Sequence, residues 1–105
     1  MIDIYGENIF HWIVDLRSDD DAMKMLTFID EEYSSIQWRQ LLNQQNYDKR
    51  TPLHEAAMLN KHRSINFMLE RGANAEVKDV VGDRPDEWYY VDEETKKLFL
   101  RHREK

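Results

Sequence analysis

Four histidines are the side chains of this sequence best suited to acid–base or metal chemistry. His54 and His62 form the closest pair, but their separation does not match a metal-binding helix of the type His-Glu-x-x-His. His11 and His102 lie far from both in the chain. The sequence has no cysteine, and it contains no Gly-rich phosphate loop and no nucleophile elbow. We therefore expect no enzyme activity, no catalytic or metal site and no cofactor.

The carboxylates are too numerous to mark a site. There are 21 Asp and Glu among 105 residues, so chance pairs are inevitable. The densest run, residues 19–21, stands before an amphipathic stretch, where acidic residues cap and stabilise the first turn of a helix. We expect a helix start there rather than a metal site.

The clearest local structure surrounds His54. Thr51 is a good N-cap, and Pro52 suits the first helical turn, where a backbone N–H would have no partner. Ala56 and Ala57 keep one face of this helix small, so that a second helix can pack closely against it.

That second helix is predicted to follow directly. Ile65, Met68 and Leu69 are spaced as one apolar stripe on a helix. Gly72 then supplies the positive φ with which helices commonly end.

These motifs resemble one known repeat. Residues 51–57 read Thr-Pro-Leu-His-Glu-Ala-Ala, and residues 72–74 read Gly-Ala-Asn; together they resemble the signature of the ankyrin repeat, a unit of about 33 residues. The resemblance implies an all-α solenoid of helix-turn-helix repeats with β-turn fingers, and a surface that binds proteins. It also implies that Thr51 and His54 bond locally and tie the helix start to the neighbouring loop. The motif residues are Thr51, Pro52, Leu53, His54, Ala56, Ala57, Gly72 and His11.

One repeat cannot bury its own apolar face, so copies are expected. A shift of 33 residues aligns Asp79, Gly82 and Pro85 with the start of the motif repeat. A shift of 43 aligns His11 with His54 and places Asn8, another good N-cap, at the position of Thr51. We predict a single domain over residues 1–105, built of about three repeats. Their ranges are 3–45 with an insert near 30–40, 46–78, and 79–105.

The outer repeats depart from the pattern. The extra residues of repeat one predict a lengthened second helix or a short added one. In repeat three, Tyr89 and Tyr90 replace the paired alanines, which is understandable in a terminal unit with no following repeat to accommodate. We interpret repeat three as the C-terminal cap.

The N-terminal end needs a cover, because the first helix of repeat one is apolar nearly all round. Its large apolar residues are Ile9, Phe10, Trp12, Ile13, Val14 and Leu16. Either the insert, with Tyr33, Ile36 and Trp38, folds back over this end, or a partner or second copy stacks on it. The insert is favoured, because the extra length lies in the repeat that lacks a cap.

By the resemblance, the two residues between the opening Asp and the Gly form the tip of each finger. Five of these six tip residues are apolar or aromatic, which is typical of a protein interface. The alternative is that the outer fingers curl onto their own repeats. The tip pairs are Ile4 and Tyr5, Tyr47 and Asp48, and Val80 and Val81.

A second surface is expected in the concave groove, where Met58 and Leu59 lie by the alignment and Met suits adaptable recognition. Trp12 and Trp88 share one position of the motif and are either interface anchors or covers of the core ends. The predicted partner-binding residues are Ile4, Tyr5, Tyr47, Asp48, Arg50, Met58, Leu59, Val80, Val81, Trp12 and Trp88.

Charge is unevenly distributed along the chain. The formal net charge is -6, although residues 96–105 carry five cations against one acid. Acidic residues at the start of the last helix and cations at its end match the helix dipole, which favours helix-end stabilisation over nucleic-acid binding by an acidic protein. No apolar run is long enough for a membrane span. The absence of cysteine fits an intracellular setting, cytoplasmic or nuclear.

Two functions remain open. The favoured one is a non-catalytic interaction module, an adaptor or inhibitor that docks a partner protein on its fingers and groove. The alternative is a constitutive structural subunit of a larger assembly. The fold by itself does not identify the partner.

Overall fold

The structure, a computed structural model, describes residues 6–30 and 32–104. Over these residues the chain is all-α, without a strand, and the predicted fold class is confirmed. A 3-10 turn, Pro85–Glu87, stands between the last two helices. The helices are α1 (Ile9–Val14), α2 (Asp19–Asp30), α3 (Ser35–Leu42), α4 (Pro52–Met58), α5 (His62–Glu70) and α6 (Glu93–Arg103).

The helices form two rows with the apolar core between them. In one row α1 packs on α4 and α4 packs on the 3-10 turn; in the other, α2 packs on α5 and α5 packs on α6. The helices of a pair, α1 with α2 and α4 with α5, also touch. Each repeat therefore packs against its neighbours, as expected for a solenoid. The largest fully buried apolar side chains are Phe10, Phe99, Leu26, Leu42, Leu53, Ile65 and Met68.

Local capping explains where the first helices begin. The Asn8 side chain accepts the Phe10 N–H at 2.9 Å, and Thr51 Oγ1 accepts the His54 N–H at 3.4 Å. At the other end of the motif repeat, Gly72 has φ 100° and follows the last turn of α5. The predicted starts of α1 and α4 and the predicted end of α5 are confirmed.

α5 takes its cap from the preceding repeat. Its own N-cap residue, Lys61, makes no side-chain capping bond. Instead the Asp19 carboxylate accepts the Arg63 N–H at 2.9 Å and the Ser64 N–H at 3.1 Å. Asp19 does begin α2, but the N–H of Asp21 bonds to Ser18 Oγ. The sequence therefore correctly predicted acidic first-turn residues in α2, whereas the capping role of Asp19 is directed at α5.

The insert forms an added helix, α3, one of the two predicted possibilities. Trp38 of α3 is buried, and its ring lies 4.6 Å from that of Phe10 and 5.7 Å from that of Phe67 in repeat two. The expectation that the insert covers the outer end of repeat one is wrong. It packs across the junction of repeats one and two, while Ile36 and Ile9 remain exposed.

Repeat three lacks a regular first helix, unlike the helix-turn-helix unit that was predicted. Ala56 and Ala57 are fully buried in repeat two, and the tyrosines that replace them cannot fit such a space and are poorer helix formers. The backbone turns to an extended conformation at Trp88, and both tyrosines are exposed.

An ion pair holds this shortened unit together. Arg103 of α6 bonds both oxygens of Asp86 at 2.8 and 3.1 Å and bonds Glu76 at 2.8 Å. Asp86 occupies the position that Leu53 holds in repeat two, so a bidentate ion pair replaces an apolar contact there. Part of the basic C-terminal segment is thus explained by the fold.

We predict that Leu69→Ala lowers the free energy of unfolding by about 2–5 kcal/mol, since Leu69 is only 4 % exposed and its removal leaves a cavity in the middle repeat. The measurement is urea unfolding followed by circular dichroism. Leu59→Ala is the matched control: Leu59 is 47 % exposed, and its truncation should cost less than about 1 kcal/mol. Equal losses in the two variants would contradict the packing described here.

Candidate functional site

His54 joins the start of α4 to the next finger. Its Nδ1 accepts the Thr51 N–H at 3.1 Å, so the ring proton lies on Nε2. Nε2 donates to the backbone carbonyl of Asp83 at 3.0 Å. The side chain is completely buried. The expected local bond to Thr51 and the tie to the neighbouring loop are both confirmed.

His11 makes the same connection one repeat earlier. Its Nδ1 accepts the Asn8 N–H at 3.1 Å, and Nε2 donates to the carbonyl of Arg50 at 2.9 Å. Arg50 and Asp83 are equivalent residues of successive fingers. In repeat three the equivalent residue is Glu87, which accepts the Arg84 N–H at 2.7 Å but has no ring N–H to donate to a further finger. The histidines are structural, and each fixes the finger that follows.

Each described finger is a turn built around one polar side chain. In the second finger, Asn46 Oδ1 accepts the N–H groups of Asp48 and Arg50 at 2.9 and 3.0 Å. In the third, Asp79 Oδ1 accepts those of Val81 and Asp83 at 3.1 and 2.9 Å. These bonds satisfy the backbone N–H groups of each turn without using the tip side chains, which can therefore point outward.

Neighbouring fingers are bonded to each other. The Val80 N–H donates to the carbonyl of Asp48 at 2.9 Å. Towards repeat one, Gly6 has φ 77°, and a Cβ there would stand 2.9 Å from the Tyr47 ring. Glycine is therefore required at residue 6 both by the backbone conformation and by this close approach.

The finger tips expose apolar side chains. Tyr47 is 70 %, Val80 60 % and Val81 69 % exposed, and Asp48 beside them is also exposed. Since Val81 is open to solvent, the alternative in which the third finger curls onto its own repeat is wrong. The first tip, Ile4 and Tyr5, lies outside the described residues.

The groove residues differ in exposure. Leu59 and Trp12 are exposed, whereas Met58 and Trp88 are half-buried. Trp88 packs against the core, and the guanidinium of Arg50 lies 4.8 Å from its ring centroid. Of the two tryptophans, Trp12 has the more accessible ring, while Trp88 covers the core of repeat three.

Glu55 gives this groove an acidic character that the sequence pattern did not predict. Burial raises the pKa of Glu55, and the nearby carboxylates of Glu7, Asp15 and Asp48 raise it further, while Arg50 lowers it. Two of those carboxylates come from repeat one. Their charges reach Glu55 only because the repeats stack, so the spacing of residues within one repeat could not predict them.

The described residues contain no group of three or more His, Cys, Asp or Glu side chains that could hold a metal ion. Among them, too, no helix combines the length and the apolarity that a membrane crossing demands.

The comparisons agree with this geometry. Residues 48–80 match the ankyrin repeat family, a segment that runs from the second finger through α4 and α5 to the tip of the third. No curated protein and no solved structure matches the chain. Residues 48–80 therefore form an ankyrin repeat within an all-α stack of helices. Ankyrin repeats are generally modules of protein–protein interaction.

We predict that the stability of the protein falls in mild acid because of His54. Burial is the largest cause of its lowered pKa, partly opposed by the Asp83 carbonyl bond and the Asp79 charge. Below the ordinary histidine pKa of 6.5, His54 binds a proton in the unfolded state but stays neutral in the folded state. Stability is therefore complete above that value and is lost as pH falls towards the lowered pKa.

The measurement is the free energy of unfolding in urea at about pH 7.5 and about pH 5.5. His54→Gln is the control, because Gln37 already serves at the same position of α3 by accepting the Ser34 N–H. The variant should be less stable at both pH values but should lose less on acidification. Glu55 titrates in both proteins, so it cancels in the comparison. A parent and variant with the same pH dependence would refute the assignment.

Proposed function

We propose that this protein is a non-catalytic binding module, an adaptor or inhibitor that docks a partner protein on its finger tips and concave groove. The observation that supports this most directly is the exposure of Tyr47, Val80 and Val81 on adjacent fingers. A turn that needed only solubility would carry polar side chains there, and contiguous exposed apolar surface is typical of interfaces.

The rigidity of the fingers also supports the proposal. Each described turn is bonded internally, the second and third are bonded to each other, and the His54 and His11 rings hold both from behind. A preformed surface loses little conformational entropy when it binds, which improves affinity for a given area.

The groove suggests what the partner carries beside its apolar contact. The charges of three carboxylates, Glu7, Asp15 and Asp48, act on Glu55, together with that of one cation, Arg50. We infer that the partner presents apolar side chains to the finger tips and Lys or Arg side chains to the groove, because complementary charge orients and accelerates association.

The test is affinity capture from lysate of the source organism with the tagged protein, followed by mass spectrometry. Changing Tyr47, Val80 and Val81 together to Ser should abolish capture of the partner, while the circular dichroism spectrum and melting temperature stay close to those of the parent. Changing Lys96, Lys97 and Arg101 to Gln should reduce capture much less.

A matched control separates a specific site from general apolar adhesion. Phe28 and Ile36 are exposed apolar residues outside the fingers, and their change to Ser removes apolar surface elsewhere. If this control loses the partner as completely as the finger variant does, the fingers are not the binding site. If only the Gln variant loses it, the partner is recognised by charge at the C-terminal helix instead.

A further inference from the structure

The third, fourth, seventh and eighth residues of α5 define how one repeat packs on the next. They are Ser64, Ile65, Met68 and Leu69, and all four are buried. The Ser64 hydroxyl bonds to Asp19 of the preceding repeat. Helix positions 3 and 7 lie one turn apart on the same face, so Ser64 and Met68 face backwards along the stack. Leu69 lies beside Leu98 and Arg101 of α6, which assigns Leu69, and Ile65 one turn before it, to the forward face.

α2 and α6 reproduce this division, each with one of its two faces uncovered. In α2 the fourth and eighth residues, Ala22 and Leu26, are fully buried, whereas the seventh, Met25, is 40 % exposed. The third, Asp21, is also exposed. The backward face of α2 is thus open to solvent.

In α6 the opposite face is open. The third and seventh residues, Thr95 and Phe99, are fully buried, and Thr95 Oγ1 bonds to Asn60 of the preceding repeat at 3.1 Å. The fourth and eighth residues, Lys96 and Leu100, are exposed.

The two open faces are complementary. α2 packs on α5 and α5 packs on α6, and the burial pattern assigns positions 4 and 8 of one helix to the same junction as positions 3 and 7 of the next. If the end of one molecule met the beginning of another in the same register, Lys96 would stand opposite Asp21 and Leu100 opposite Met25. One opposite-charge pair and one apolar pair would then fill the positions that apolar and small residues fill inside the molecule.

We propose that this protein associates with a second copy of itself head to tail, the exposed face of α6 in one copy packing on the exposed face of α2 in the next. The first row of helices is consistent with this: Pro52 and Pro85 are buried, whereas Ile9, the equivalent residue of repeat one, is exposed. This proposal goes beyond partner binding on the fingers, and it uses a different surface.

The charges around the two faces leave this pair available. Asp19 accepts a backbone N–H at the start of α5, and Asp20 pairs with Arg63. Asp21, the third residue of α2, is the aspartate of that run at a stacking position. Lys96 lies 3.6 Å from Glu93 on its own helix, but both side chains are largely exposed, and an exposed pair of this kind is weak. Such a partner is readily exchanged for Asp21 of a neighbouring copy.

The experiment is sedimentation velocity of the purified protein over a dilution series at low salt. The parent should show a mass that rises with concentration. Asp21→Lys and Lys96→Glu should each weaken self-association by about tenfold or more, because each places like charges across the contact. Lys97→Glu is the matched control, with the same change of charge one residue away from the stacking position, and it should associate as the parent does.

Mixing the two single variants tests the direction of the contact. A head-to-tail junction joins the reversed charge of one variant to the reversed charge of the other, so the equimolar mixture should regain the association that each variant lacks alone. The double variant should regain it as well. Circular dichroism spectra and melting temperatures confirm that every variant is folded.

Three results would overturn the proposal. They are a parent that stays monomeric throughout the series, single variants that associate as strongly as the parent, and a mixture that associates no better than its components. The last result would mark a symmetric contact between like ends. Finger variants should behave as the parent here, so failure of this proposal and failure of partner binding are independent.

Discussion

The bond from a buried imidazole to the next finger is the interaction on which the rest of this structure depends. His11 and His54 each accept a backbone N–H at the start of their own helix and donate to a carbonyl of the following finger. Because both ring nitrogens are engaged out of contact with water, loss of either bond would leave a buried polar group unsatisfied. The same two bonds therefore start a helix, join two repeats and position the residues proposed to bind a partner.

The other cross-repeat bonds follow the same principle, with each repeat completing what its neighbour lacks. Asp19 supplies the cap that α5 does not have, and Asn60 accepts the Asp92 N–H at the start of α6. Buried Lys61 donates to the carbonyls of Val14 and Leu16 at the end of α1. These bonds stabilise the junctions between repeats. Because the middle repeat has a junction on each side, we expect it to contribute most to the stability of the stack.

The same modular construction separates two kinds of surface. Finger tips and groove lie along the side of the stack, where every repeat contributes a residue, while the faces of α2 and α6 that carry Met25 and Leu100 lie at its ends. A partner on the fingers and a further copy at an end would not compete for the same side chains. Binding and assembly can thus be altered separately by substitution.

What the sequence determined by itself was local. The caps at Asn8 and Thr51 and the glycine that ends α5 follow from backbone chemistry within a few residues. The resemblance carried by residues 51–57 and 72–74 implied the repeat and its all-α class. The same resemblance located the tips of the second and third fingers, and the structure shows that Asn46 and Asp79 hold those turns from within.

Only the tertiary structure decided the features that depend on what lies across a junction. It seated Trp38 between Phe10 and Phe67 rather than over the outer end, and it reduced the first helix of repeat three to a single turn. It also turned Asp19 towards α5 and gathered carboxylates from two repeats around Glu55. Burial and electrostatics depend on neighbours distant in sequence, and nothing in a local pattern records which neighbours the stacking will bring.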